Sequence, residues 1–493
     1  MDVLCRRDRR TGLGILLVLG AICLSRPSIA VTEEAVSERP PSILLVVLDT
    51  VRADAVSSYG KIEGTTPTID RLAAAGVRYS NAFSPAPWTL PSHATIFTGR
   101  GVDEHRVAMP GHPVLTDEFE TLAELLSEAG YETAAFSENV IVSDLYQMLR
   151  GFEVRVTSSS RPDDYTKEIH QKLIDGRAAF QEWIRTRDSN RPFFAFVNLL
   201  DAHRPYEIRS ENRWVPPDAT PRAIKDRHPA PERLICGGLP TAAQIQIQKG
   251  LYLGDVHAAD QKLASILESA RNAVHGGRLI TVVTSDHGEL FGEHDLMGHE
   301  FSLHSSLLRV PLVVHGVEGA AGHVVETPVG LQDLMPSLLG WVGARLPDDL
   351  SSSSLPLVTT TGAEASRMFF SAYTDQFLGV PPQLAGRVKP KDKNRLRQFC
   401  APSNRVLGGM AALIQYPFKY VWFENYPASL YDLSWDSVEM SDQIRYKKDL
   451  VKFFEARMLP LRTAAGIEDH SGASGYELSK EAIEALKQLG YVE

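Results

Sequence analysis

Three short, mainly apolar runs, the first of them continuous, limit what this chain can become. They are Ser42 to Leu48 (Ser-Ile-Leu-Leu-Val-Val-Leu), Phe193 to Leu200 and Leu279 to Thr284. A continuous apolar run of this length, without polar alternation, marks a strand buried on both faces, as in a parallel sheet. Helical segments are predicted at Thr68 to Ala75, Leu115 to Ala129, Tyr165 to Arg187, Ala242 to Ala270 and Leu331 to Gly340. Further strands are predicted at Glu132 to Phe136 and Val310 to Val314. Strands alternating with helices make an α/β sheet.

The pattern changes near Leu346. Short strand-like pieces at Met368 to Ala372, Val406 to Ile414 and Lys419 to Phe423 precede a helix near Lys447 to Arg457. They predict a small antiparallel sheet backed by a helix. The expected organisation is a segment 31–41 acting as linker, a catalytic domain over 42–345, a C-terminal α+β subdomain over 346–460, and a tail over 461–493 ending in a helix at Ser479 to Leu489. The Pro-rich stretch Arg209 to Pro240 reads as a surface insertion, and Pro381 to Lys393 as a Pro/Lys-rich loop.

The first thirty residues read as an address. Arg6, Arg7, Arg9 and Arg10 precede the apolar run Leu13 to Leu24, and Ser28-Ile29-Ala30 offers a small-x-small cleavage site, as in a secretory signal peptide. The alternative is a retained membrane anchor, although the run is short for a bilayer span. Export permits Cys236 and Cys400 to pair, but two cysteines are no disulfide framework. The formal net charge of −10 argues against a nucleic-acid partner, because no basic stripe exists to displace counterions from phosphates.

Chemistry concentrates where the apolar runs end. Asp49 follows the first run, and Ser285-Asp286-His287-Gly288-Glu289 follows the third. In open α/β sheets ligands bind outside those strand ends. Two acids and an imidazole delivered there suit a divalent cation: Zn²⁺ or Mn²⁺ with nitrogen in the set, Ca²⁺ or Mg²⁺ with oxygen alone. Thr89 opens the run Thr-Leu-Pro-Ser-His-Ala-Thr-Ile-Phe-Thr-Gly, in which Pro91 fits a first helical turn and Gly99 a helix end. A hydroxyl at a helix N-terminus faces unpaired N–H groups, a seat for an anion.

Taken in order, Asp49, the run from Thr89, Asp201-Ala202-His203-Arg204-Pro205-Tyr206, Thr284 to Glu289, Gly292-Glu293-His294, Arg309-Val310-Pro311-Leu312 and Leu430-Tyr431-Asp432-Leu433 resemble the sulfatase family of the alkaline-phosphatase-like superfamily. The resemblance runs from about Pro41 to Leu433. It implies a mainly parallel sheet flanked by helices, with a smaller C-terminal antiparallel-sheet subdomain. It implies one divalent metal ion (Ca, Mn, Mg or Zn) on Asp49, Asp286, His287 and the Thr89 oxygen, with Thr89 as nucleophile. His203 and His299 fall where the family contacts the anionic group or the leaving oxygen. Thr50 replaces a second acid that many sulfatases place on the metal. The implied substrate is a small-molecule or glycan ester of sulfate or phosphate.

Departures from the family pattern bear on the chemistry. Most sulfatases carry Cys-x-Pro-Ser-Arg and convert the cysteine to formylglycine. This chain has Thr89-Leu90-Pro91-Ser92-His93, with His93 in place of the bracing arginine, and His299 where many members have lysine. A threonine hydroxyl needs activation by a base or a metal. Three functions stay open at this point: an exported ester hydrolase with a covalent threonyl ester, a transferase moving a phospho group to an envelope acceptor, and a degenerate fold that binds sulfated or phosphorylated glycans. His294 and His304 read as pocket-lining or as satisfied structural histidines, and Glu289 and Glu293 as loop-ordering groups.

Overall fold

The computed structural model describes residues 39–467, apart from 61, 110, 159–173, 211, 221–223, 225–239, 276, 300–301, 363, 375–407 and 425. The expected signal peptide, Cys236, Cys400, the loop 381–393, most of the insertion 209–240 and the terminal helix lie outside the described residues.

Strand β1 (Ser42–Leu48) has all seven residues buried, as its unbroken apolar run requires. Its alternate residues enter two different cores. Ile43, Leu45 and Val47 pack with Trp88, Ile96 and Phe97, while Leu44, Val46 and Leu48 pack with Leu251, Val256 and Leu263 of the long helix Ala242–Ala273. Fully burying each such side chain contributes about 1.5–3 kcal/mol.

The other strands of the large sheet are β2 (Val77–Tyr79), β3 (Glu132–Ser137), β4 (Val154–Thr157), β5 (Phe193–Leu199), β6 (Leu279–Thr284), β7 (Leu312–His315) and β8 (His323–Val325). Their order is β8-β2-β7-β6-β1-β5-β3-β4. All run the same way except β7, which is antiparallel to both β6 and β2. The expected strand Val310 to Val314 is split at Pro311, which has no N–H for a ladder. Arg309–Val310 pairs instead with Ala82–Phe83, and β7 begins at Leu312.

Helix α1 spans Pro67–Ala75 and α2 spans Thr89–Thr98, ending on Gly99 with φ +65°. Every residue of α2 is buried, and Phe97 meets Phe196 of β5 edge-to-face with ring centroids 4.9 Å apart. Helix α3 is shorter than its periodicity suggests. It covers Leu122–Glu128, because Thr121 and Glu124 form a reciprocal capping box that fixes the start. Helix α4 is Gly176–Thr186, capped by Asp175. Helix α5 is Ala242–Ala273, and α6 is Leu334–Trp341.

A second, four-stranded antiparallel sheet follows: β9 (Phe369–Tyr373), β10 (Met410–Gln415), β11 (Phe418–Phe423) and β12 (Ser429–Asp432), adjacent in chain order. Helix α7 (Lys448–Ala465) runs through Pro460, well past the expected Arg457, and ends at Gly466 in the left-handed region. One face of this sheet packs with Phe454 and Met458 of α7, and the other shares a core with Phe83 and Trp88. Its edge fastens the segment before α2: Ala372 N–H donates to Pro85 O at 3.0 Å, and Ser371 Oγ to Ser84 O at 2.9 Å.

Candidate active site

Parallel strands deliver their following residues to one edge of the sheet. Val47 of β1 registers with Thr284 of β6, and Leu48 with Leu199 of β5. Asp49, Asp286, Asn198 and Asn139 therefore arrive together at the carboxyl ends of β1, β6, β5 and β3, all fully buried.

Carboxylates and imidazole converge there. Asp49, Asp286 and His287 bring ligand atoms within 4.8 Å of one another. Asp286 Oδ1 accepts from Thr50 N–H at 3.2 Å and His287 N–H at 3.0 Å. Asp49 Oδ2 accepts from Asn139 at 2.8 Å and Asn198 at 3.4 Å. The remaining oxygens, Asp49 Oδ1 and Asp286 Oδ2, have no hydrogen-bond partner although buried. His287 Nδ1 lies 2.9 Å from Gly288 O, so it carries the proton, and the partnerless Nε2 presents a lone pair 3.5 Å from Asp286 Oδ2. This is the tautomer that a metal-binding histidine adopts.

The electrostatics agree. Burial and the neighbouring Asp286 push Asp49 up to about 7, and burial raises Asp286 to about 6. Burial and His299 lower His287 to about 4. Carboxylates driven toward neutrality beside imidazoles driven toward neutrality form a set short of positive charge. A divalent cation reverses that logic, so the residues present fit such an ion.

Thr50 is held in the left-handed region with φ +60°, strained for a β-branched residue. Tyr252 of α5 secures this turn, donating from its hydroxyl to Thr50 O at 3.0 Å and accepting Arg52 N–H at 2.8 Å. The Thr50 hydroxyl is buried without a partner.

Helix α2 brings Thr89 to the same place. Trp88 enters in an extended conformation with no side-chain cap, which leaves the first-turn N–H groups of α2 for other partners. Thr89 Oγ1 lies 3.4 Å from Asn139 Nδ2. One turn later, His93 Nδ1 donates to Thr89 O at 2.9 Å and lies 3.7 Å from Asp286 Oδ2. Ser84 Oγ donates to Asp286 O at 2.5 Å and lies 2.9 Å from Ser92 Oγ, tying the α2 start to the Asp286 loop.

The remaining predicted residues also converge. The His299 ring is 4.6 Å from that of His287 and 5.2 Å from that of His203, all three buried. His299 Nδ1 is 3.3 Å from Glu289 Oε1. Burial opposes ionisation of Glu289, but His299 and Arg204 outweigh it and hold the carboxyl down to about 2. His203 Nδ1 donates to Arg204 O at 2.6 Å, and burial lowers the ring to about 3. His294 and His304 belong instead to a second cluster with Glu439.

Sequence reasoning missed Asn139 and Asn198. Asn139 had a positional signal: it stands two residues past a strand of the sheet, as Asp286 does.

Known proteins share this family and fold. A family model described as Sulfatase matches residues 41–344. An arylsulfatase of Clostridium perfringens (strain 13 / Type A) is 23% identical over 373 residues, covering 64% of this chain and 77% of that protein. A Delta 4,5-hexuronate-2-O-sulfatase of Bacteroides thetaiotaomicron is 23% identical over 353 residues, covering 65% and 72%. The crystal structure of phosphonate monoester hydrolase of Agrobacterium radiobacter superposes with a TM-score of 0.67 at 22% identity, covering 87% of this chain and 97% of that one. At that identity the likeness speaks to the fold.

Proposed function

Because this chain belongs to the sulfatase family, we propose that it is an exported, metal-dependent hydrolase of sulfate or phosphate esters that works through a covalent ester on Thr89. One observation carries this reading: the Asn139 amide lies against both Thr89 Oγ1 and Asp49 Oδ2, and the converging ligand atoms of Asp49, Asp286 and His287 are buried without hydrogen-bond partners. A fold kept only to bind anions gains nothing from such donors. Asp49, Asp286, His287 and the Thr89 oxygen would hold a divalent ion, which when bound would acidify the hydroxyl and offset charge on the transferring group.

This chain's own residues do the rest. Thr89 Oγ1 attacks phosphorus or sulfur, and the ester oxygen departs. His93 fixes the backbone beneath the nucleophile through Thr89 O. His203 and His299 face the leaving oxygen and the anionic group. Threonine lacks the second hydroxyl from which a formylglycine hydrate expels its cargo. Water must displace the group, which favours phosphoryl over sulfuryl transfer. The relatives named above motivate small-molecule or glycan esters as substrates. The N-terminal basic and apolar segment supports export, with membrane attachment only if it is retained.

The test is a panel of para-nitrophenyl sulfate, para-nitrophenyl phosphate, bis-para-nitrophenyl phosphate and para-nitrophenyl phenylphosphonate, each with Mn²⁺, Zn²⁺, Ca²⁺ or Mg²⁺. At least one ester is cleaved, and Thr89→Ala lowers its turnover by on the order of a thousandfold or more. Full activity in Thr89→Ala, or no cleavage of any ester, ends the proposal.

A further inference from the structure

We propose that Asn139 is a catalytic residue for the second half of the reaction, in which its side-chain N–H stabilises the Thr89 oxygen as that oxygen leaves the covalent ester. The inference rests on Thr89 being the nucleophile.

The Asn139 amide is fixed on every side. It is fully buried. Its Oδ1 accepts from Ile141 N–H at 2.9 Å, so the NH₂ group must point the other way. Its backbone N–H donates to Asn198 Oδ1 at 3.2 Å, and its carbonyl accepts from Ser137 Oγ at 2.8 Å. The NH₂ group therefore faces Asp49 Oδ2 at 2.8 Å and Thr89 Oγ1 at 3.4 Å. One N–H serves the carboxylate, and the other is left for the hydroxyl oxygen.

A contact of 3.4 Å is long for a neutral hydroxyl. Hydrogen bonds shorten and roughly double in strength when the acceptor becomes charged. Oγ1 carries negative charge at two moments. Before attack, a donor stabilises the ground-state alkoxide as well and gains little in rate. During ester breakdown the charge on Oγ1 grows toward the transition state, which is where a preorganised donor accelerates. In that step the water oxygen bonds to phosphorus, the bond from phosphorus to Oγ1 breaks, and its electron pair stays on Oγ1. The proton lost by the water ends on Oγ1, regenerating threonine and releasing inorganic phosphate.

The experiment compares wild type, Asn139→Ala, Asn139→Asp and Thr89→Ala with para-nitrophenyl phosphate at saturating Mn²⁺, so that a weaker hold on Asp49 does not enter. Asn139→Asp keeps the side chain's shape and the acceptor for Ile141 N–H but sets a second carboxyl against Asp49, so Asn139→Ala, which removes the donor and adds no charge, carries the comparison. Nitrophenolate release is followed through the first turnover and into steady state, and acid-quenched protein is weighed intact. In the Asn139 variants steady-state turnover falls on the order of a hundredfold, the first turnover changes by no more than a few-fold, and protein carrying one added phosphoryl group accumulates. Slower turnover with neither a burst nor an accumulated ester overturns the proposal. Failure of the nucleophile assignment has a different signature: no ester on any protein and an active Thr89→Ala.

Discussion

Asp49, Asp286 and His287 on one side, and His294, His304 and Glu439 on the other, each gather ligand atoms within 4.8 Å of one another. Their compositions are nearly interchangeable, yet their surroundings are opposite. In the second cluster Glu439 Oε1 accepts from Lys419 Nζ at 2.7 Å and Ser305 Oγ at 2.5 Å, and Oε2 lies 2.5 Å from His304 Nδ1. Lys419 also donates to Leu303 O, and His294 Nε2 lies 2.9 Å from Val438 O. The rings of His294 and His304 stack 3.4 Å apart with their planes 2° from parallel, so their lone pairs cannot converge on one ion. Lys419 already supplies the positive charge. The first cluster has no such cation among the described residues, and three of its ligand atoms go without partners. Unmet hydrogen-bonding capacity, rather than a count of histidines and acids, separates a candidate metal centre from a structural tie.

The contrast can be broken most forcefully at Asp286. Asp286→Asn keeps an acceptor for the Thr50 and His287 amides but removes the charge. It should abolish stoichiometric metal in dialysed protein and lower turnover by on the order of a thousandfold. The metal-free variant should melt no lower than metal-free wild type, because a desolvated buried carboxylate is gone. In the second cluster the same kind of change should act in the opposite sense. Lys419→Met strands Glu439 without its ammonium and should cost about 3–5 kcal/mol in urea unfolding, while leaving metal content intact. Replacing Lys419 and Glu439 together with apolar residues should recover most of that loss.

The most gradual expected effect is on acid stability. Burial opposes ionisation of Glu439, but Lys419 and His304 hold its carboxyl well below the usual carboxylate range. A depressed folded pKa contributes stability above the unfolded carboxylate range, and that contribution fades as pH falls below it. Between roughly pH 5 and pH 2 wild type should lose up to about 1.4 kcal/mol per pH unit from this group. Glu439→Gln should show a correspondingly flatter profile in urea titrations, and parallel profiles would remove Glu439 from the account.

Much of the sheet was legible because its central strands are buried on both faces. Asp49 and Asp286 were legible for the same reason, since each follows such a strand and a parallel sheet exposes ligands only at those ends. The start of α3 was written in Thr121 and Glu124 but masked by a longer amphipathic run. Asn139 carries no motif beyond its place two residues past β3, and its closeness to Thr89 emerges only when β3 is seen two strands from β1. The tie between His304 and Glu439 joins residues 135 positions apart, with no local pattern to announce it. Side chains marked by a strand end or a family motif were recoverable, and those defined only by partners across the fold were not.

The hydrogen bonds from β9 to Ser84 and Pro85 have a consequence for synthesis. When the ribosome has completed β7, every proposed metal ligand and Thr89 already exist. The strand that braces the loop before Thr89 is still unmade, since Ser371 and Ser84 are separated by 287 positions. Contacts so distant form late, because loop closure must precede them. A nascent chain would thus hold Thr89, the proposed nucleophile, on an unfastened segment until the C-terminal sheet emerges, which would delay chemical competence to the end of translation.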